Sequence, residues 1–499
     1  MNKGFVSRNA PPKASAMVEA LRGLGYSTAT ALADIVDNSI AAKASEVRIN
    51  FHWVDSKSRI ECLDNGQGMN AGELDRAMRL GERSPLEERA ASDLGRFGLG
   101  LKTASFSQCR RLTVATVQET DLNILRWDLD YLANAQDGGW HLLEGAHPGS
   151  EIFLESLSTI GSGTLVVWEV LDRIVTPGST VQDFLDVADV VEEHLGMVFH
   201  RFLEGARPKL RIILNGQPVK PWDPFMEGHP GKPFNPPIYP HPTIRGIEAE
   251  CHVLPHKDMM NEVDYHRMAG PEGWTAQQGF YVYRNERLLV PGSWLGLGAG
   301  RSWTKDEAHR LARIRIDIPN SADSDWKIDI RKSTARPPVY LKDWLTRLAE
   351  VTRARARRAF AHRGSPQLIG NKQIIDAWRV QRLAKGIRYR IDDSHPAVRA
   401  VLDDAGNLLP QIKAMLRVIE ETVPVQKIWI DTAENRDTPE TGFTNAPVSE
   451  ILEVMTVMYR NLIEKKGYSS ELAKEQLRRT APFHTHIGLI SALPDSFEE

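Results

Sequence analysis

An aspartate and an asparagine four residues apart, Asp34 and Asn38 in "ADIVDNSIAAKA" (33–44), would project from one face of a helix, one turn apart. A carboxylate and an amide so placed can orient a water molecule and hold a hard cation through oxygen. Further on, "DNGQGM" (64–69) follows a strand-like run. Asp64 is an acceptor-only group, suited to an exocyclic amine such as adenine N6, while Gly66 and Gly68 let the backbone approach a flat ring. Read alone, the same Asn-Gly pair would also serve as a hairpin turn. In "GSGTLVVWEV" (161–170), Thr164 begins a strand and supplies a hydroxyl beside that ring.

A fourth stretch, "GRFGLGLKTAS" (95–105), has the look of a phosphate-binding loop. The P-loop pattern places Lys and Ser/Thr directly after its second glycine. Gly95 and Gly100 have that separation, but Leu101 displaces Lys102 and Thr103 by one position, so the stretch is not a P-loop. It opens a helix all the same, where backbone N–H groups favour anions.

The elements that must position these residues can be read from periodicity. Residues 13–43 form two helices joined by "GYSTA", with Leu32, Ile35, Val36 and Ile40 as a buried stripe. The runs 46–54 and 59–64 are paired strands, a helix covers 71–80, and the polar stretch from 81 to 98 is a long loop. Strands are expected at 111–117, 123–129, 151–156 and 164–170, and an amphipathic helix at 180–203. Helices beside a mostly antiparallel sheet define an α+β layer domain. A second α+β domain takes in the strands at 279–290 and 312–318, and a helix follows at 339–362. The expected boundaries are 1–205, 206–338, a basic segment 339–390 and a mixed region 391–499.

In this order the four motifs resemble the GHKL ATPases, the superfamily of gyrase, the heat-shock chaperone ATPase, sensor histidine kinases and MutL. The resemblance implies a helix-on-sheet ATP-binding sandwich followed by an S5-like transducer domain, with ATP and Mg2+ as cofactors. Asn38 would ligate Mg2+, Asp64 would accept from adenine N6, and Met69 would line the base pocket, alongside Gly66, Gly68 and Thr164. Gly95, Gly98, Gly100, Leu101, Lys102 and Thr103 would meet the phosphates as a lid. "LGERSP", "GTLVVWEVLDR" and "GFYVYRNERLL" resemble the MORC-like and MutL-like branch in particular. That branch implies a transducer lysine at the γ-phosphate, here Lys332 in "WKIDIRKSTARPP", with Lys327 as the second candidate. Asp34 stands where the family's general base is usually Glu. A carboxylate drawn back by about 1.5 Å slows water activation unless the helix compensates.

Between 341 and 390 there are 13 Lys or Arg against 3 Asp or Glu, an imbalance that suits a phosphate-tracking surface. Arg353, Arg357 and Arg358 lie at its centre, interleaved with Trp344, Phe360, Trp378 and Tyr389. The alternative is a solvated helix paired with acidic groups of the same chain. No apolar run is long enough to span a membrane, and three cysteines are too few and too dispersed for a disulfide framework or zinc knuckle, which leads to the expectation of a cytoplasmic protein. "HTH" at 484–486 lacks a third metal ligand nearby. Two functional readings follow from the resemblance. One is an ATP hydrolase acting as an ATP-gated homodimeric clamp on DNA in a bacterial restriction or phage-defence system, beside helicase or nuclease partners. The other is an ATP-binding switch or scaffold with little hydrolysis.

Overall fold

The computed structural model describes residues 10, 12–81, 100–232, 236–298, 300–322, 325–328, 335–361, 368–369, 372–383, 386–434 and 448–495. The chain divides into two compact units, Met1–Ala361 and His362–Glu499.

The first unit begins with α1 (Ala14–Arg22) and α2 (Thr28–Ala41). Ser27 starts α2 with a reciprocal cap, its hydroxyl accepting from Thr30 N at 3.2 Å. β1 (Glu46–His52) and β2 (Arg59–Asp64) pair antiparallel, with Val47 opposite Asp64. α3 (Ala71–Met78), α4 (Gly100–Phe106), β3 (Arg111–Gln118), β4 (Asp121–Asp128), α5 (Leu129–Asn134) and β5 (Leu143–Glu144) follow. The domain then continues through β6 (Gly163–Glu169), α6 (Val181–Val198), α7 (His200–Leu203), β7 (Arg211–Leu214) and β8 (Gln217–Pro218).

These strands make one sheet in the order β5-β4-β3-β6-β2-β1-β7-β8. β6 is buried on both faces, and its alternation sorts the two cores. Val166 and Trp168 join the core beneath the helices, with Ile35, Val36, Leu112 and Leu195. Leu165 and Val167 face a smaller cluster with Leu63, Ala115 and Leu157.

Two sequence expectations are corrected here. Residues 151–156 are not a strand; Glu151–Thr159 form a 3-10 helix across the second face of the sheet. Phe153, Leu154 and Leu157 all pack into that cluster, which helical spacing permits and alternation does not. The first sheet also runs on past residue 205, because β7 pairs parallel with β1.

The second α+β layer comprises β9 (Ile238–Pro240), β10 (Glu248–Val253), α8 (Glu262–Met268), β11 (Gly279–Arg284), β12 (Arg287–Ser293), β13 (Ala312–Ile318) and α9 (Val339–Ala361). Its sheet order is β12-β11-β13-β10-β9, with β11 and β13 parallel. α9 lays a stripe of Leu341, Leu345, Ala349, Thr352 and Ala356 on the core that Phe280, Val282, Ile314 and Ile316 build. This spacing of three and four residues is that of a helix with one apolar face.

The second unit holds the short pair β14 (Leu368–Ile369) and β15 (Lys372–Gln373) and the hairpin β16 (Trp378–Leu383) and β17 (Gly386–Ile391). The helices α10 (Pro396–Asp404), α11 (Leu409–Thr422), α12 (Val425–Glu434), α13 (Val448–Glu464), α14 (Ser470–Arg478) and α15 (Ile487–Ser491) complete it. Its core is built by Ile451, Met455, Tyr459 and Leu462 of α13 with Leu477, Phe483 and Ile490.

Candidate nucleotide site

α2 supplies three polar groups to one end of the first sheet. Asp34 is buried while Asn38, one turn on, is exposed. The Asp34 carboxylate accepts from Tyr26 Oη at 3.0 Å. A β-carbon on Gly100 would sit 3.6 Å from Asp34 Oδ2, so the first residue of α4 abuts this carboxylate. The Asn38 amide forms no hydrogen bond with another described side chain. An exposed amide oxygen near a buried carboxylate fits a hard cation such as Mg2+, which keeps several of its waters.

Ser39, next to Asn38, donates to Asp64 Oδ2 at 2.9 Å and so ties α2 to the end of β2. Asp64 Oδ1 accepts from Gly66 N at 2.9 Å and Thr164 N at 3.3 Å. Burial pushes the Asp64 carboxyl above its ordinary value, and these three donors pull partly back. The carboxylate is thus fixed in place by adjacent strands, since Asp64 lies opposite Thr164 in the β2–β6 pairing. Thr116 Oγ1 lies 3.1 Å from Thr164 Oγ1 and accepts from Met69 N at 3.0 Å, which fastens the loop after β2 onto β3.

The glycines of "DNGQGM" are required by the protein's own backbone. At Gly68, φ is +67°, and a β-carbon would fall 2.0 Å from Val117 O. At Gly66 it would meet Ala42 Cβ and O at 2.9 Å. Gly68 and Met69 line an open cavity of about 670 Å³ with Gln67, Gln118, Gly161 and Ser162.

Lys102 is buried, and its ammonium donates to Ala77 O at 2.8 Å, the carbonyl end of α3. That satisfies one of the carbonyls a helix terminus leaves open. Leu101 packs on the core and Thr103 is fully buried. Gly95, Gly98 and Lys332 lie outside the described residues, and Lys327 is exposed at φ +47°.

On α9 the arginines part company. Arg357 and Arg358 are exposed, but Arg353 is turned inward, its guanidinium 4.6 Å from the Trp294 ring centre and 5.0 Å from that of Trp303. Asp306 completes this enclosure at 3.6 Å. The expected exposed stripe joining Arg353 to Arg357 is therefore corrected: the apolar face of α9 brings Arg353 between two indoles, where cation–π attraction holds it.

Sequence reasoning missed Tyr26, Ser39 and Thr116, and above all Arg287, which reaches this end of α2 from β12. Its Nε lies 3.0 and 3.1 Å from the two Asp37 oxygens. Two buried carboxylates at i and i+3 were the available signal, since buried charge demands a partner.

The helix-over-sheet layer with an acceptor carboxylate between two strands is the arrangement that the GHKL resemblance implies for an ATP-binding domain. Residues 26–164 match the family described as Histidine kinase-, DNA gyrase B-, and HSP90-like ATPase. The chain is also similar to the ATPase morc-1 of Caenorhabditis elegans, at 30% identity over 90 residues. That stretch is 18% of this chain and 10% of the nematode protein. The motif resemblance and the α+β fold expected from the sequence both hold for this segment. Among the described residues no helix is long and apolar enough to cross a membrane.

Proposed function

We propose that this protein is an Mg2+-dependent ATP hydrolase that works as an ATP-gated dimeric clamp on DNA. The observation that carries the reading is the Ser39–Asp64 hydrogen bond. It couples the adenine-acceptor end of the site to the residue beside Asn38, so base recognition and cation binding share one rigid corner. In this reading Asp64 accepts from the adenine amine and Asn38 holds the cation, which supplies charge neutralisation at the phosphates. Asp34 receives the proton of the attacking water, and Lys332 or Lys327 meets the γ-phosphate. Gly95, Gly98, Gly100 and the start of α4 form the lid. ATP would favour the closed dimer only to the extent that it binds that state more tightly.

For DNA, the exposed Arg357 and Arg358 support contact with phosphates, as do Arg379, Arg382 and Arg388 on the β16–β17 hairpin, where Trp378 and Tyr389 are also exposed. A setting in bacterial restriction or phage defence, with helicase or nuclease partners, follows from the MORC-like resemblance, and the three dispersed cysteines suit the cytoplasm. The second reading is an ATP-binding switch with little turnover. It is favoured by Asp34 itself, a short carboxylate already engaged by Tyr26. Steady-state ATP hydrolysis with Mg2+, with and without duplex DNA, separates the two. Turnover raised by DNA and abolished in Asp34→Ala and Asn38→Ala supports the clamp; tight nucleotide binding with turnover at the variant background supports the switch.

A further inference from the structure

α2 carries two buried carboxylates, Asp34 and Asp37, three residues apart. Neither could stay charged in a protein interior without compensation. The compensating cation comes from the second α+β layer. β11 and β12 are joined by a two-residue turn in which Asn285 and Glu286 both have positive φ, at 47° and 67°. That hairpin geometry sets Arg287 directly opposite Arg284 as the first residue of β12.

From there the Arg287 side chain, buried like its partners, spans Asp37 with Nε at 3.0 and 3.1 Å and brings Nη2 to 3.9 Å from Asp34 Oδ1. Its Nη1 donates to Leu288 O at 2.8 Å, which fixes the plane of the guanidinium. The Phe199 ring, 5.9 Å away, lies on another side. Two further contacts hold the same seam: His200 Nε2 to Tyr283 Oη at 2.7 Å and Arg201 to Asp317 at 2.5 Å. Those two lie beside the sheet, whereas Arg287 alone among these reaches the helix that bears the candidate base.

We propose that Arg287 is a positioning residue through which the second domain sets the catalytic carboxylate: it grips Asp37 and thereby holds the Asp34 end of α2 in register for the attacking water. This rests on the ATPase reading above, and it assigns a coupling route distinct from the lysine at the γ-phosphate. Arg287 touches neither Asp64 nor Asn38, and Ser39 anchors the Asn38 end of α2 to Asp64, so the effect of Arg287 falls on turnover and far less on nucleotide affinity. A rigid ion pair transmits small displacements directly. Withdrawal of β12 by about 1 Å would move the base by a comparable amount, a shift that can cost about a hundredfold in rate.

The test uses the full chain and four variants: Arg287→Gln, Arg287→Lys, Asp37→Asn, and the neutral pair Asp37→Asn/Arg287→Met, which removes both members of the close ion pair and leaves Asp34 its hydrogen bond from Tyr26. Each is measured for ATP turnover and, separately, for binding of a non-hydrolysable ATP analogue. The expected result is a kcat lower by about 10- to 100-fold in Arg287→Gln, Asp37→Asn and the neutral pair, with analogue affinity within about threefold of wild type. Arg287→Lys should recover part of kcat, and the two single losses should not add in the pair. Unchanged kcat in the folded neutral pair, or loss of affinity in step with kcat, overturns the proposal.

Should the wild type bind the analogue but not turn over ATP, the hydrolase reading fails while the coupling stays measurable by hydrogen exchange. The analogue should then slow exchange in residues 287–293 of wild type and not of the neutral pair. Equal protection in both, or none in wild type, overturns it.

Discussion

His194 lies on α6, close to the seam where Arg287 meets Asp37, and the imidazole is held down to about pKa 4 from its ordinary 6.5. Burial is the main cause, the Arg287 charge adds to it, and Asp37 opposes it. The ring is therefore neutral in the folded protein throughout the physiological range. Between pH 6.5 and 4 the unfolded chain takes up a proton that the folded chain refuses, so stability falls as the pH drops through that window. Two pKa values so placed predict a loss of roughly 2 kcal/mol on going from neutral pH to about pH 4.5. Substituting His194→Gln removes the titration and should remove this share of the acid sensitivity.

Urea unfolding of wild type and variant at the two pH values gives the difference directly, taken from the transition of the N-terminal unit. A histidine NMR titration gives the ionisation itself, with the resonance identified by its loss in the variant. A His194 signal titrating near 6.5, or equal acid sensitivity in the two proteins, would refute the reasoning that the seam excludes a second positive charge.

Gly68→Ala should destabilise the N-terminal unit by roughly 2–5 kcal/mol, combining a left-handed backbone with a β-carbon pressed on Val117 O. A thermal midpoint within error of wild type would show that the close backbone approach does not dictate the glycine. Arg353→Ala should cost about 1–3 kcal/mol through loss of its indole and Asp306 contacts and leave any DNA affinity unchanged. Arg357→Ala should do the reverse, with stability within about 0.5 kcal/mol of wild type and weaker, less salt-dependent DNA binding. Equal behaviour of the two variants in both assays contradicts the division.

The local grammar of the nucleotide domain was legible because its elements obey simple periods. The stripe of Leu32, Ile35 and Val36 predicts α2, and alternation predicts β1 and β2. The 3-10 helix at Glu151–Thr159 escaped because Ile152 and Leu154 mimic alternation, whereas Ile152 is exposed and Phe153, Leu154 and Leu157 are the residues that pack. Among the candidate site residues, Asp34, Asn38 and Asp64 stood out by type and spacing. Their holders did not. Tyr26, Ser39 and Thr116 are ordinary polar residues until the fold brings their hydroxyls within 3.0 Å, 2.9 Å and 3.1 Å of a partner. Arg287 is separated from Asp37 by 250 positions, beyond the reach of any local pattern. For Arg353 residue type pointed to an exposed phosphate contact, and the packing of α9 turned it in.

The return of the chain to the first sheet has a practical bearing on how the N-terminal region can be cut. β1 is flanked by β2 on one side and by β7 on the other, with Glu46 to Ile49 opposite Arg211 to Leu214. A fragment ending at 205 would strip that second partner and leave a row of open N–H and C=O groups beside Val47 and Ile49, a template for intermolecular pairing and aggregation. One that runs through Pro218 retains the whole hairpin. During synthesis the same logic applies: the sheet that carries Asp64 stays an exposed, self-associating surface until about a dozen residues past the end of α7 have emerged.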